Sequence, residues 1–336
     1  MAKNIYNRVY TKEKWDQVNK YNKDLMEDFL LELKSQKKKD STISQYRNDL
    51  RILFIFILDE LDNKPIHKLN KKSFRNYSLW LSSEKGMSNA RVNRLLSALR
   101  SMLTFATDDD DYSDEIEINY ASKVKGLEKD KVRDIIFLSM DEVDHLYNVL
   151  INEHKYQHAT LLGLMMDSAC RRNEAYQVLK DSITQDGALT NMVTGKRGKK
   201  FRLLYNDMTK NAYKLYMDQR GEDEIESLWT TYDYETQSLK QASYESLYAW
   251  VRSWRPIIEE YSGELKEFNA HSFRHIALEL LSTGDHYVCK KLGKDKFTLR
   301  ELQLLANHSD ISTTASYLAD KSEDELLNAF GLKNTP

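Results

Sequence analysis

An acidic segment, TDDDDYSDEIE at 107–117, divides the sequence into two parts of opposite net charge. Residues 1–106 carry 21 Lys and Arg against 12 Asp and Glu, and the remaining residues carry 29 against 40. Because a run of like charges has little apolar surface to bury, we expect a solvated linker over 107–133, between two domains. The basic first part indicates an anionic partner, of which nucleic acid is the commonest, although the same side chains could simply solvate helices.

Apolar residues recur at helical spacing in the first part, over 24–36, 41–61 and 89–106. The whole chain has only three prolines and eleven glycines, which also favours a mainly helical fold. We therefore predict a helical DNA-binding domain over 22–106, preceded by an N-terminal segment over 1–21. Its candidate DNA contacts are the basic residues Lys37, Lys38, Lys39, Arg47, Arg91, Arg94 and Arg100.

The second part, over 134–336, reads as a mainly helical domain with a small β-sheet. Ser139 and Glu142 have capping-box spacing and predict a helix start. Two short apolar runs flank GKRGKK, which predicts a β-hairpin over 187–206 with a lysine-rich tip. This tip carries Lys196 and Lys199, and Lys199 is a further candidate DNA contact. Further helices are expected after this hairpin.

The stretch NAHSFRHIALELL places His271, Arg274 and His275 within five residues. Such residues can line a solvated helix face, the two histidines at i and i+4 can hold a metal, or His271 and Arg274 can face a phosphate. The metal interpretation is weak because Ser272 stands where a zincin helix needs Glu, and no Cys or carboxylate cluster is nearby in the sequence. Neither metal nor other cofactor is expected.

Four separated motifs, in the same order, resemble those of the tyrosine recombinases, or phage-type integrases. ACRRNE at 169–174 resembles the family's G-L-R-x-x-E segment, and VTGKRGKKFR at 193–202 resembles its lysine hairpin. HSFRH at 271–275 matches its H-x-x-R-H box, and HSDISTTASY at 308–317 matches its H-S-x-x-x-T-T-x-x-Y box. With similar segments in the first part, the likeness spans about 22–330.

The resemblance implies a mainly α (α+β) fold: a helical SAM-like core-binding domain and a catalytic domain with a small β-sheet, closing as a C-shaped clamp around duplex DNA. It implies that Tyr317 attacks a phosphodiester and leaves a 3′-phosphotyrosine intermediate. Arg171 and Arg274 would hold the non-bridging oxygens of that phosphate. Glu174, one helical turn after Arg171, would orient it as structural support.

The same resemblance gives Lys196, on the hairpin, the role of protonating the departing 5′ oxygen. His271 and His308 would hydrogen-bond the phosphate or take the proton of Tyr317. His275 is expected to pack behind His271 and Arg274. The family commonly has glycine where this chain has Ala169 and Asn307, and Asn tolerates a left-handed backbone better than most residues.

Two classes of function stay open on these residues. One is a recombinase that cuts and rejoins DNA, which the presence of all six catalytic-type residues favours. The other is a DNA-binding regulator, for example a phage repressor, that uses the same fold without strand exchange.

Expected partners are double-stranded DNA with two half-sites, further copies of the chain as a dimer or tetramer on DNA, and an accessory DNA-bending protein. The segment 320–332 is a candidate helix that docks on a neighbouring protomer or packs on its own domain. Cys170 and Cys289 form no disulfide framework, and no apolar run predicts a signal peptide or membrane span. We therefore expect a cytoplasmic, nucleoid-associated protein of a bacterial or phage-infected cell, with no membrane partner.

Overall fold

The chain forms two compact units, Met1–Asp134 and Ile135–Pro336, each with its own apolar core. The computed structural model describes residues 5–128 and 136–318. Within these ranges no helix is long and apolar enough to cross a membrane. The candidate docking helix at 320–332 lies outside the described residues.

The first unit is helical, and the three helices predicted from apolar spacing are confirmed as α3, α4 and α6. Residues 52–57 of α4 are buried all round, because α1, α2, α3 and α6 pack against this helix from several sides. The helices are α1 Ile5–Val9, α2 Lys12–Gln17, α3 Lys20–Ser35, α4 Asp40–Glu60, α5 Lys71–Leu79 and α6 Asn89–Asp108.

The described part of the N-terminal segment packs onto this unit rather than standing apart from it. Ile5 and Val9 of α1 are buried in the core. The guanidinium carbon of Arg51 lies 5.0 Å from the ring centre of Tyr10 and 5.2 Å from that of Trp15. Cation–π contacts of this kind hold α1 and α2 against α4.

The expectation of a solvated linker is wrong for residues 112–124. The side chains of Tyr112, Ile116 and Val124 are buried in the core of the first unit, and Tyr112 donates a hydrogen bond to Asp28. Isolated apolar residues among the acidic ones are enough to dock this segment, although its composition is that of a solvated chain. Residues 129–133 lie outside the described ranges.

Arg100 of α6 fixes the same segment. Its guanidinium donates hydrogen bonds to the carbonyls of Ala121, at 3.2 Å, and Val124, at 2.8 Å. Arg100 therefore stabilises the position of this segment. Its predicted contact with DNA stays a prediction.

The second unit is built around α8, whose residues 159–168 are all buried between α7, α10 and α13. The capping box predicted at Ser139 is present, since its Oγ accepts from the Glu142 amide at 3.2 Å and Glu142 accepts from the Ser139 amide at 2.9 Å. The helices of this unit are α7 Met140–Asn152, α8 Tyr156–Ser168, α9 Arg172–Tyr176, α10 Asp207–Arg220, α11 Tyr244–Ser253, α12 Arg255–Ser262, α13 Ala270–Thr283, α14 Tyr287–Leu292, α15 Leu299–Leu305 and α16 Ile311–Ala315.

Two small antiparallel sheets complete the second unit. The predicted hairpin is confirmed as β1 Leu189–Thr194 and β2 Lys200–Leu204, with Thr194 opposite Lys200. A second hairpin, β3 Thr230–Asp233 and β4 Ser238–Gln241, occupies a region where only helices were expected. That expectation was wrong, and the β-branched and aromatic residues before the YETQ turn were the signal for a strand.

Gly284 ends α13 with a φ of +91°, and a Cβ placed there would lie 1.8 Å from the carbonyl oxygen of Asp295. We expect Gly284→Ala to lower the free energy of unfolding by about 3 kcal/mol or more, because both backbone strain and a backbone clash must be relieved. Gly263 is a matched control, since it ends α12 at a φ of +74° with no atom within 4 Å of such a Cβ. Gly263→Ala should cost only about 1 kcal/mol in urea denaturation followed by circular dichroism, and equal losses would contradict the close approach.

Candidate active site

The chain turns sharply at the end of α8, and this turn places Arg171 in the candidate active site. Ala169 is left-handed, with φ +48° and ψ 34°, which ends the helix two residues before Arg171 caps α9. Its carbonyl oxygen accepts a hydrogen bond of 2.6 Å from the guanidinium of Arg274 on α13. The turn therefore joins the two predicted arginines, and alanine adopts here the backbone that glycine would favour.

Arg274 is the buried centre of the site, with 1% of its surface exposed. Besides Ala169, its guanidinium donates to the carbonyl of Ala306 at 2.5 Å and to Nε2 of His308 at 2.7 Å. Its Nε has no hydrogen-bond partner within the described part of the chain. The side chain thus joins the end of α8, the end of α15 and His308, and keeps one N–H unused.

Glu174 lies where it can hold both arginines. One carboxylate oxygen accepts from the Arg171 guanidinium at 2.9 Å, and the other accepts from the Arg171 amide at 2.7 Å. The second oxygen is also 3.9 Å from the Arg274 guanidinium. The carboxylate is almost fully buried, so these contacts are poorly screened by solvent. The contact between Glu174 and Arg171 that the sequence predicts is present.

His308 follows a residue in the left-handed region, since Asn307 has a φ of +52°. The expectation that Asn would accept this backbone is confirmed. Nδ1 of His308 lies 2.9 Å from the hydroxyl of Thr314, while Nε2 faces Arg274. Burial and the neighbouring charges of Arg274 and Arg171 lower the pKa of His308 to about 4. Its imidazole is therefore neutral at neutral pH.

Tyr317 closes the site just after α16. Its hydroxyl lies 3.4 Å from Nε2 of His271, and its ring centre lies 5.3 Å from the guanidinium carbon of Arg274. The ring of His275 stacks on that of Tyr317 at 4.3 Å and donates from Nδ1 to the Tyr317 carbonyl at 3.1 Å. Partial burial, together with the charges of His275 and Arg274, lowers the pKa of His271 to about 4. His275 thus packs behind Tyr317, and His271 faces its hydroxyl.

The β1–β2 hairpin brings its lysines to the same region. A cavity of about 350 Å³ is lined by Arg171, His308, Lys196 and Lys199, with Asp310 on its wall. Both lysine side chains are exposed at the hairpin tip. Three cationic side chains, those of Arg171, Lys196 and Lys199, therefore border a space that suits an anionic group.

The metal alternative for His271 and His275 finds no support in the geometry. Their rings meet edge to face with centres 5.2 Å apart, and the ring of His275 stacks on that of Tyr317. Across residues 5–128 and 136–318 there is no group of three or more His, Cys, Asp or Glu side chains that could hold a metal ion.

The predicted DNA contacts of the first unit differ in their surroundings. Lys37, Lys38 and Lys39 are exposed in the turn before α4, and Arg47 lies 3.6 Å from Glu27. Buried Asp49 holds two of the other arginines, at 2.7 Å from Arg91 and 3.3 Å from Arg94.

The sequence did not indicate the structural contacts of two residues, Asp49 and Thr314. Thr314 lies in the motif over 308–317, and Asp49 lies in one of the similar segments of the first part, but their partners His308 and Arg91 are six and 42 residues away. Neither helical spacing nor motif order shows which atoms such residues contact.

Two family models match the chain. The model of the phage integrase family covers residues 136–324, and the model of the phage integrase N-terminal SAM-like domain covers residues 26–110. Together they cover most of the sequence and agree with the division into two units.

Individual relatives match over nearly the whole chain at low identity. The SPbeta prophage-derived recombinase-like protein YomM of Bacillus subtilis is 21% identical over 94% of this chain and 92% of its own length. Tyrosine recombinase XerC of Caldanaerobacter subterraneus is 23% identical over 87% of this chain and 82% of its own. A solved lambda integrase tetramer bound to a Holliday junction shares the fold, with a TM-score of 0.63 at 15% identity over 95% of this chain and 82% of that one.

Proposed function

The chain belongs to the phage integrase family, and from this premise we propose that it cuts and rejoins duplex DNA through a 3′-phosphotyrosine intermediate at Tyr317. The observation that carries the proposal is the position of Tyr317, which lies against His271 and over Arg274, itself bonded to His308. A phenolic oxygen beside a neutral base and a buried guanidinium is equipped for attack on a phosphodiester.

In the cleavage step the Tyr317 oxygen forms a bond to phosphorus while the bond from phosphorus to the 5′ oxygen breaks. The Tyr317 proton passes to a histidine, and Lys196 gives a proton to the departing 5′ oxygen. Arg171 and Arg274 stabilise the charge that builds on the non-bridging oxygens. Religation is the reverse reaction, so the phosphotyrosine conserves the energy of the broken bond and needs no nucleotide cofactor.

His271 is the histidine that the geometry favours as proton acceptor. Its Nε2 faces the Tyr317 hydroxyl, whereas Nε2 of His308 is occupied by Arg274. Because the pKa of His271 is lowered to about 4, its ring is unprotonated at neutral pH and can accept a proton. The distance of 3.4 Å is long for a hydrogen bond and would have to shorten when DNA binds.

The proposed partner is duplex DNA with two half-sites, bound by a dimer or tetramer of this chain in the cytoplasm, at the nucleoid. The fold shared with the lambda integrase tetramer on a Holliday junction supports this assembly. An accessory DNA-bending protein stays part of the proposal.

DNA binding should weaken steeply with salt, because phosphate contacts release counterions. Replacing the exposed Lys37, Lys38 and Lys39 together by Gln is expected to lower the slope of log K against log salt by roughly 2 to 3, at about 0.9 per lost contact. Lys214→Gln, an exposed change on α10, should leave the slope unchanged. Fluorescence anisotropy at several salt concentrations measures both slopes, and an unaltered slope in the triple variant would remove this turn from the DNA contact surface.

The decisive assay for strand cleavage uses genomic fragments captured by the protein and converted to duplexes nicked near the suspected cleavage point. Loss of the short cleaved strand traps the intermediate, so a covalent protein–DNA adduct is expected on a denaturing gel. The same duplexes without a nick serve as the control, because religation reverses cleavage there. Tight specific binding with no adduct at any nick position would instead support the DNA-binding regulator.

A further inference from the structure

We infer that Thr314 is a positioning residue, whose hydroxyl accepts a hydrogen bond from Nδ1 of His308 and so fixes the tautomer that presents Nε2 to Arg274. The inference deepens the proposed function, because Arg274 belongs to the proposed phosphate-binding group. Thr314 itself does not touch the phosphate in this account.

The hydrogen-bonding capacity of the partners determines the tautomer. A guanidinium has donors only, so Nε2 of His308, at 2.7 Å from Arg274, must accept. A neutral imidazole with a free lone pair on Nε2 carries its proton on Nδ1. The hydroxyl of Thr314 lies 2.9 Å from that nitrogen and can accept the proton.

The residues around His308 restrict the hydrogen-bond partners that its ring can reach. Its amide donates to the carbonyl of Gln303 at 3.1 Å, and its carbonyl accepts from the Gln303 side-chain amide at 3.2 Å. These two hydrogen bonds fix the backbone of His308 at both its amide and its carbonyl group. Thr314 is fully buried on α16, so water does not compete for the imidazole at this position.

The opposite tautomer would place an N–H of His308 against an N–H of Arg274 at hydrogen-bond distance. Two donors facing each other repel, and the guanidinium would turn or lose its contact with the ring. The hydroxyl of Thr314 thus orients Arg274 through His308. The carbonyl of Thr314 accepts from the amide of Tyr317 at 3.0 Å, so the same residue also joins this network to the nucleophile.

The test compares Thr314→Val, which keeps the shape of the side chain without the hydroxyl, with Thr314→Ser, which keeps the hydroxyl. Long-range ¹H–¹⁵N spectra of the full chain with ¹⁵N-labelled histidine report which ring nitrogen carries the proton, and a His308→Asn spectrum assigns the His308 signals. We expect the proton on Nδ1 in the unaltered chain and in Thr314→Ser. In Thr314→Val the Nδ1 proton has no acceptor, so the fraction of His308 in this tautomer should fall.

Single-turnover cleavage of the nicked duplex provides the second measurement. Thr314→Val should slow adduct formation roughly tenfold or more, the size expected when a buried donor loses its acceptor, with DNA affinity unchanged within about twofold. Thr314→Ser should stay within about threefold of the unaltered chain.

A proton on Nε2 in the unaltered chain overturns the inference, and that measurement requires no variant to fold. Retention of both tautomer and cleavage rate in Thr314→Val overturns it as well. If the unaltered chain forms no adduct, the proposed cleavage activity fails, while the spectra still decide what Thr314 does.

Discussion

The Tyr317→Phe variant is expected to form no covalent adduct with nicked DNA, which corresponds to a loss of more than about 1000-fold in cleavage rate. The hydroxyl supplies the attacking oxygen, and phenylalanine has none. The ring should keep its stacking on His275 and its place over Arg274, because both contacts involve only the aromatic carbons. DNA affinity and unfolding temperature should therefore change little.

The matched control is Tyr234→Phe. Tyr234 is 85% exposed in the turn between β3 and β4, so the same chemical change occurs there at a residue with no proposed part in the reaction. It should yield as much adduct as the unaltered chain on the denaturing gel. An adduct that survives in Tyr317→Phe would mean that a different residue is the nucleophile.

The Arg274→Ala variant is expected to lose both stability and cleavage. It would leave the carbonyls of Ala169 and Ala306 and Nε2 of His308 without their common donor in a buried site. Buried groups deprived of a charged partner cost about 3–5 kcal/mol, which urea denaturation can measure. Arg274→Lys keeps the charge but cannot reach all three acceptors with one ammonium, so cleavage should still fall by about 100-fold or more.

Arg252→Ala is the control for this change. Arg252 is exposed on α11, and its loss should alter the free energy of unfolding by no more than about 0.5 kcal/mol. If Arg274→Ala were as stable as Arg252→Ala, the guanidinium would not be the structural centre of the site.

Local features of the fold could be predicted because their causes are local in sequence. The capping box at Ser139 and the strands on either side of GKRGKK depend on residues at most a few positions apart. The contact of Glu174 with Arg171 follows from helical spacing in the same way. Asn307 takes the left-handed backbone that its side chain tolerates.

Features that depend on distant partners could not be predicted. The ring of Tyr112 packs edge to face on that of Tyr21, 91 residues earlier in the chain, and the acidic composition around Tyr112 conceals its burial. Arg274 contacts Ala169 across 105 residues and His308 across 34. The order of the motifs predicted that these residues belong to one site. Only the fold shows that Nε2 of His308 is occupied by Arg274, so that His271 is the histidine that faces the Tyr317 hydroxyl.

Mass spectrometry of the trapped adduct tests the central claim most directly. After nuclease digestion, trypsin releases a peptide over 301–321 in which Tyr317 is the only tyrosine, beside several serines and threonines. The account predicts a nucleotide phosphate on the Tyr317 oxygen, located by fragmentation of that peptide. A nucleotide on another residue, or an unmodified peptide from every nicked duplex that the protein binds tightly, would contradict it.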